Sequence, residues 1–373
     1  MIKKHFKSVT NQECSFYIDD SLSFEGFTSL DLGGYDRLVV IFDKDIPDYF
    51  LDTIWKKLLV HNKDLLKLPL EADEKNKSIK QSISIIEELE KNTIGRHDLI
   101  ISLGGGFTSD LVSFVSSIYM RGIPYIAIPT TLIGQVDAVT AGKTCVNGPH
   151  TKNLLGTFYF PSIVYNNISF FKSLPVREMR QGWSEIFKYG LLGSKKLLKL
   201  MEEYFSSKSP EILMKIIEET IRVRLKIRQV DPLSSNLGHT FGHAFEKISN
   251  YKVSHGDAIS IGTLLAIAFG EKMNITRDGL HQELLELMEK FSLNTKFSSD
   301  FDASGIASMM LKDKKSSSKL INLVLLEDIS KPYYGKSSLF YSVDEKTMKD
   351  FIEDYFSDHS ERKDKNLYIT LSQ

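Results

Sequence analysis

Three short apolar runs constrain the fold of this chain most: LVVIFD at 38–43, DLIISL at 98–103 and IPYIAI at 123–128. Each is shorter than a helix needs to be and lacks the polar alternation of a strand with one wet face. They read as strands buried on both sides, which points to a parallel sheet covered by helices on both faces. SFYIDD at 15–20 reads as a further strand. Between these runs, 47–61 and 77–93 carry helical periodicity, with apolar side chains three and four apart in IKQSISIIEELEK. DLIISL runs straight into Gly104-Gly105-Gly106, and Thr108–Ile118 then reads as a helix; IPYIAI ends at Pro129-Thr130-Thr131. The alternation predicts an α/β N-terminal nucleotide-binding domain with a parallel sheet.

From about Pro175 the pattern becomes nearly continuous helix, over 176–192, 194–206, 209–230, 237–249, 255–273, 279–291 and 301–312. One late strand at Leu320–Leu326 and a helix near 345–355 close the fold. The expected domains are 1–172, a nucleotide-binding α/β domain, and 173–357, a mostly α-helical metal- and substrate-binding domain. A polar tail, 358–373, is expected to be loosely ordered. No low-complexity linker is present, so the join should be a packed connection near 165–180, with a ligand cleft between the domains.

The segment SSNLGHTFGHAFEKISNYKVSHGD, Ser234–Asp257, holds His239, His243 and His255. The first two are four apart and share a helical face. Neutral imidazole in that arrangement suits a borderline-soft divalent ion such as zinc, although a satisfied core pair is the plainer reading. A third histidine at loop distance favours a metal or acid–base site. A zinc peptidase of the H-E-x-x-H type is excluded, because Thr240 stands where that chemistry needs a glutamate. The remaining ligand must come from elsewhere, as another histidine or a carboxylate. Glu185 and Lys188 lie three apart in GWSEIFKYG. That pair is either a surface ion pair or, given its aromatic and aliphatic neighbours, a buried glutamate available to a metal.

The strand–glycine–helix unit is built to cradle phosphate, since the glycines admit a pyrophosphate and the helix start offers N–H groups. It is not G-x-G-x-x-G. Asp43, ending an earlier strand, is placed to accept hydrogen bonds from a ribose. Lys143, Lys152, Asn153 and Arg121 lie in turn-rich segments near Asp137 and suggest an anionic substrate. The formal net charge of −1 gives no global field for nucleic acid or an anionic membrane. No apolar run reaches bilayer length and none near the start has signal-peptide character. Two cysteines, Cys14 and Cys145, make no disulfide framework, so a reducing, cytoplasmic setting is expected.

Taken in order, GGGFTSDL, YMRGIPYIAIPTTLIGQVDA, GKTCVN, KNLLGTFYFP, LPVREMRQGWSEIFKYG, NLGHTFGHAFE and HGDA resemble the 3-dehydroquinate synthase family of sugar-phosphate cyclases, across roughly 38–330. The resemblance implies a divalent metal, zinc or alternatively cobalt, on Glu185, His239 and His255. His243 then lies beside the reacting phosphate instead of on the metal. It implies NAD held by Asp43, Glu74, Lys77, Gly105, Gly106, Asp110, Thr130, Thr131, Lys152, Phe170, Ser173 and Leu174. The Glu74/Lys77 spacing matches the family's E-x-x-K ribose contact. Substrate contacts would be Asp137, Lys143, Asn153, Lys188, Asn236 and His243, with Arg121 reaching across a homodimer and Lys314 or Lys315 adding a phosphate contact. The implied reaction is transient oxidation by NAD, phosphate elimination, re-reduction and ring closure on a small phosphorylated sugar.

The chain also departs from the family. Dehydroquinate-forming members carry a longer stretch between Asp231 and Asn236, with an arginine for the substrate carboxylate; here only Pro232-Leu233-Ser234-Ser235 intervenes. Arg224 stands where the family has an upstream lysine, and Ser109 and Ala141 replace usual glycines. Sister cyclases that take sedoheptulose 7-phosphate or glucose 6-phosphate, such as 2-deoxy-scyllo-inosose synthase, need no carboxylate grip. A metal-dependent polyol dehydrogenase of the same fold is the alternative from another class.

Overall fold

A computed structural model describes residues 2–7, 13–149, 151–230, 234–298, 300–312, 320–335, 339–365 and 367. The chain divides into two compact units, Met1–Leu174 with Leu213–Ile221, and Pro175–Ile212 with Arg222–Gln373. The grouping of 213–221 with the first unit has no counterpart in the sequence pattern.

The first unit is built on a seven-stranded sheet in the order β1-β2-β9-β6-β5-β3-β4. Its strands are β1 (Ile2–Lys7), β2 (Glu13–Asp19), β3 (Arg37–Asp43), β4 (Asp64–Leu70), β5 (Leu99–Gly104), β6 (Tyr125–Pro129) and β9 (Ile163–Asn167). All neighbours are parallel except β1, which runs antiparallel along β2. A separate antiparallel hairpin pairs β7 (Lys143–Val146) with β8 (Leu155–Phe158). The three apolar runs are the central strands, and every residue of β5 and β6 is buried. Helices α1 (Glu25–Thr28), α2 (Asp48–Leu59), α3 (Ile79–Lys91) and α4 (Gly106–Ile118) complete the α/β pattern. α2 turns Phe50, Leu51, Ile54 and Leu58 inward, a stripe at three- and four-residue spacing. α3 starts where the Ser78 hydroxyl accepts from the Gln81 N–H.

Strand order places the ligand crevice. From β3 the chain moves outward to β4, then returns to lay β5 on the opposite side of β3. At such a reversal the connections leave the strand ends in opposite directions and open a crevice at the carboxyl ends. Asp43 ends β3 and Gly104 ends β5, with Phe42 and Leu103 paired across the two strands.

The second unit is helical, as expected: α5 (Val176–Gly193), α6 (Lys195–Ser207), the outer parts of α7 (Pro210–Val230), α8 (His239–Ile248), α9 (His255–Lys272), α10 (Leu280–Lys290), α11 (Ala303–Leu311) and α12 (Glu345–Asp358). α9 is its central helix, buried on all sides from Gly256 to Ile267. It comes so close to α5 that a Cβ on Gly256 would lie 2.4 Å from the Gln181 Cα. Ser184 and Ser260 hydroxyls hydrogen-bond at 2.8 Å across the same pair of helices. α8 begins after Gly238 at φ +74°, a conformation strained for any side chain. The expected strand at Leu320–Leu326 is two short pieces: Ile321–Leu323 pairs with Tyr341–Val343, and Leu326–Asp328 with Lys331–Pro332. The expected loose tail is ordered over its described part. Lys363–Asp364 pairs with Phe297–Ser298, and Arg362 bonds Glu289 and Thr295.

Candidate metal centre and cofactor site

Three helices of the second unit each deliver one ligand. Glu185 comes from the buried half of α5, and His239 and His255 are the first residues of α8 and α9. One ligand atom from each lies within 4.8 Å of the others, the one such group among the described residues. Glu185 Oε1 faces both rings, 3.4 Å from His255 Nε2 and 3.8 Å from His239 Nε2. Its other oxygen accepts from Lys188 Nζ. Two imidazoles and a carboxylate with further positions open are a donor set that fits zinc or a similar divalent ion.

Backbone and side-chain acceptors fix the rings. His239 Nδ1 lies 3.1 Å from the Leu237 carbonyl, which can only accept, so that Nδ1 carries the hydrogen and Nε2 offers its lone pair. Burial works against a charge on His255, but Glu246 and Glu185 outweigh it and raise its pKa to about 10. His243, one turn beyond His239, lies outside the ligand group; its ring centre is 5.5 Å from that of His239 and 6.3 Å from that of His255. The group that could hold an ion thus contains one histidine of the helical pair, and the carboxylate of Glu185 joins it.

Lys188 is buried, its Nζ 4.3 Å from the Tyr189 ring centre; the Arg224 guanidinium lies 5.8 Å from the same ring. The Asn236 carbonyl accepts from the His239 N–H at 3.0 Å, tying the segment before α8 to the first ligand. Lys314 and Lys315 lie outside the described residues, as does 231–233 in the shortened connection. Buried Asp257 accepts from the Ser254 hydroxyl at 2.6 Å and is ion-paired with Arg180, whose Nε lies 2.9 Å away, which anchors the start of α9 to α5 beside His255. Burial raises the Asp257 pKa, with Arg180 the main opposing influence.

In the first unit, Gly105 is the N-cap of α4 and supplies no side-chain cap, leaving the first-turn N–H groups to a ligand. Asp43 sits at the neighbouring strand end, its carboxyl pKa raised by burial. Thr130 N–H donates to Gly104, and Thr131 Oγ1 accepts from Gly134 N–H, closing the turn opposite Gly106. The Phe170 ring packs in the core against Phe24 and Phe50. Ser173 Oγ donates to the Phe170 carbonyl, and Leu174 N–H to Phe171.

Lys77, Asp110 and Asn153 form one network. Buried Lys77 pairs with Asp110 and donates to Asn153 Oδ1 at 2.7 Å. Asn147 completes it: its amide nitrogen donates to Glu74 Oε1 at 2.8 Å and its oxygen accepts from Asn153 N–H at 2.9 Å. Lys152 reaches Glu74 at 3.8 Å. Lys143 opens β7, exposed, and Asp137 lies in the Gly134–Ala138 turn, where its carbonyl accepts from Thr140. Arg121 is exposed at φ +65° in the turn after α4. The sequence reading missed Asn147, Glu246, Arg180 and Asp257. All four lie inside motifs already singled out, but the approach of Glu246 to His255 exists only once α8 packs on α9.

No described helix is long and apolar enough to cross a membrane. The model of the 3-dehydroquinate synthase N-terminal region matches 67–181, and that of the C-terminal region matches 182–316. The chain is 34% identical over 312 residues to a 3-dehydroquinate synthase of Clostridium acetobutylicum, covering 81% of this chain and 86% of that one. It superposes with a TM-score of 0.85 on 2-deoxy-scyllo-inosose synthase complexed with carbaglucose-6-phosphate, NAD+ and Co2+, at 22% identity over 95% of this chain and 100% of that one. The 2-epi-5-epi-valiolone synthase of Streptomyces hygroscopicus subsp. jinggangensis, with NAD+ and Zn2+ bound, gives 0.80 at 20% identity, covering 96% and 98%. Matched along both units by sequence, and sharing its fold with two cyclases, the chain belongs to the 3-dehydroquinate synthase family.

Proposed function

We propose that this chain is an NAD- and metal-dependent cyclase that eliminates phosphate from a small phosphorylated sugar, with 3-dehydroquinate synthesis as its reaction. The observation that carries this reading is the convergence of Glu185, His239 and His255 with Lys188 and His243 at their side. Bound NAD would supply a hydride acceptor and donor that is restored in each turnover, and a divalent ion held by Glu185, His239 and His255 would supply Lewis-acid polarisation of a substrate oxygen. The chain's own groups handle charge and protons. Lys188 offers a cation beside Glu185, and His243 is placed to hold a proton near the departing phosphate. Lys143, Asn153 and the 314–315 lysines bind phosphate oxygens, and Asp137 and Asn236 position hydroxyls. Because the hydride returns, turnover has no net redox change, unlike that of a polyol dehydrogenase.

Arg121 completes a second copy's site in a homodimer. Ile118 and Met120, which flank it in sequence, and Leu155 and Phe158 on β8 are exposed apolar side chains and suit a face covered by another copy. A monomer in sedimentation equilibrium at assay concentration would remove this part of the proposal.

The substrate depends on the carboxylate grip. A buried carboxylate needs a charge-assisted partner, and a forked guanidinium gives two parallel hydrogen bonds. Arg224, nearly buried over the Tyr189 ring beside Lys188, is that partner. The shortened stretch before Asn236, which lacks an arginine, supports the second reading, a sugar without a carboxylate. Phosphate release from the seven-carbon acid phosphate, sedoheptulose 7-phosphate and glucose 6-phosphate, by wild type and Arg224→Ala, separates them. Activity on the acid that Arg224→Ala abolishes supports dehydroquinate synthesis, and activity on a neutral sugar alone supports the sister reading. Acid activity that survives the substitution contradicts both.

A further inference from the structure

The stripe that carries His239 and His243 continues along α8 to Glu246, at spacings of four and three residues. Its Oε2 lies 3.4 Å from His255 Nδ1, across the contact between α8 and α9. The opposite ring nitrogen, Nε2, is 3.4 Å from Glu185 Oε1. His255 thus stands between two carboxylates from two different helices. We propose that Glu246 is a positioning residue for the metal centre: it holds the hydrogen on His255 Nδ1 and turns the Nε2 lone pair toward the ion.

The inference rests on the metal-site reading above and goes beyond it. Each histidine ligand has an acceptor behind it, but the two acceptors differ. The one behind His239 is a backbone carbonyl that no substitution removes. The one behind His255 is an ionisable side chain, which also makes the imidazole a stronger donor. His255 needs this second anchor, because at the first position of α9 it projects from a helix end and its side chain is 31% exposed. The backbone role of Glu246 is separate. Its carbonyl caps α8 by accepting from Tyr251 N–H at 2.7 Å and Ser249 Oγ at 3.0 Å, and side-chain substitution leaves both bonds in place.

The test measures metal binding without sugar or NAD. Wild type, Glu246→Gln, Glu246→Ala and His255→Ala are stripped of metal, and Zn2+ affinity is read by competition with a chromophoric chelator. The visible spectrum of the Co2+ form reports ligand geometry. The proposal predicts affinity weakened about 10- to 100-fold in Glu246→Ala, the effect typical of removing such a partner. It also predicts a smaller loss in Glu246→Gln, an altered Co2+ spectrum in both, and unchanged NAD affinity. Wild-type affinity and spectrum in both Glu246 variants, with binding abolished in His255→Ala, would overturn the inference and leave the metal site standing. Wild-type binding in His255→Ala would overturn the site itself. Should the alanine variant not fold, the near-isosteric glutamine variant decides alone.

Discussion

The proposed metal ligands sit on three packed helices, whereas most of the residues proposed for the nucleotide sit on turns that follow strands or precede helices. In the helical unit, position comes from packing: α9 is buried all round, Gly256 lets its start lie against α5, and Asp257–Arg180 fastens it there. In the sheet unit, position comes from hydrogen bonds between short segments, with Asn147 joining 74–78 to 147–153 and Lys77 joining both to α4. Packed helices hold a side chain in one place or lose it, because close-packed interiors do not deform gradually. A hydrogen-bonded turn loses its geometry in steps. The metal side should therefore fail as a unit and the cofactor side by degrees, each without the other.

The largest effect is expected at Glu185. Glu185→Gln removes the charge that both histidines face and leaves buried Lys188 without its ion-pair partner. Removing one member of a buried pair costs about 3–5 kcal/mol. Metal analysis should find the ion absent, with turnover reduced by at least about 100-fold, while NAD titration of the folded variant matches wild type. Full metal occupancy in that variant would break the comparison at its strong side.

Asn147→Ala should do less. It removes three side-chain bonds from a half-buried amide, each worth about 0.5–1.5 kcal/mol. NAD affinity should weaken about tenfold, with Zn2+ affinity unchanged. Calorimetric titration of both ligands checks this, and a simultaneous loss of metal would show that the two regions are not separable.

Much of this was legible along the chain because it is local. The runs at 38–43, 98–103 and 123–128 became β3, β5 and β6 since an uninterrupted aliphatic run has no other place to go. Long helical periods survived for the same reason. Three strands of the main sheet escaped: edge strand β1, whose IKKHFK is mostly polar, β9, whose IVYNN is short and half polar, and edge strand β4, whose alternating exposure follows from having one neighbour. The motif residues identified the family, but spacing alone put His239 and His243 on one ion. What separates them is the direction each ring takes once α8 meets α5 and α9, a tertiary fact. Glu185 is far from both histidines in sequence, and only packing brings its carboxylate to them.

The central claim is a cyclase that borrows a hydride and returns it. The direct test incubates the metal-loaded protein with a limiting, known amount of NAD and an excess of the seven-carbon acid phosphate. Inorganic phosphate and absorbance at the reduced-nicotinamide band are followed together. The account predicts many phosphates released per NAD with no growing NADH signal. NADH accumulating one-for-one with consumed substrate, without phosphate release, would contradict it and make the protein a dehydrogenase.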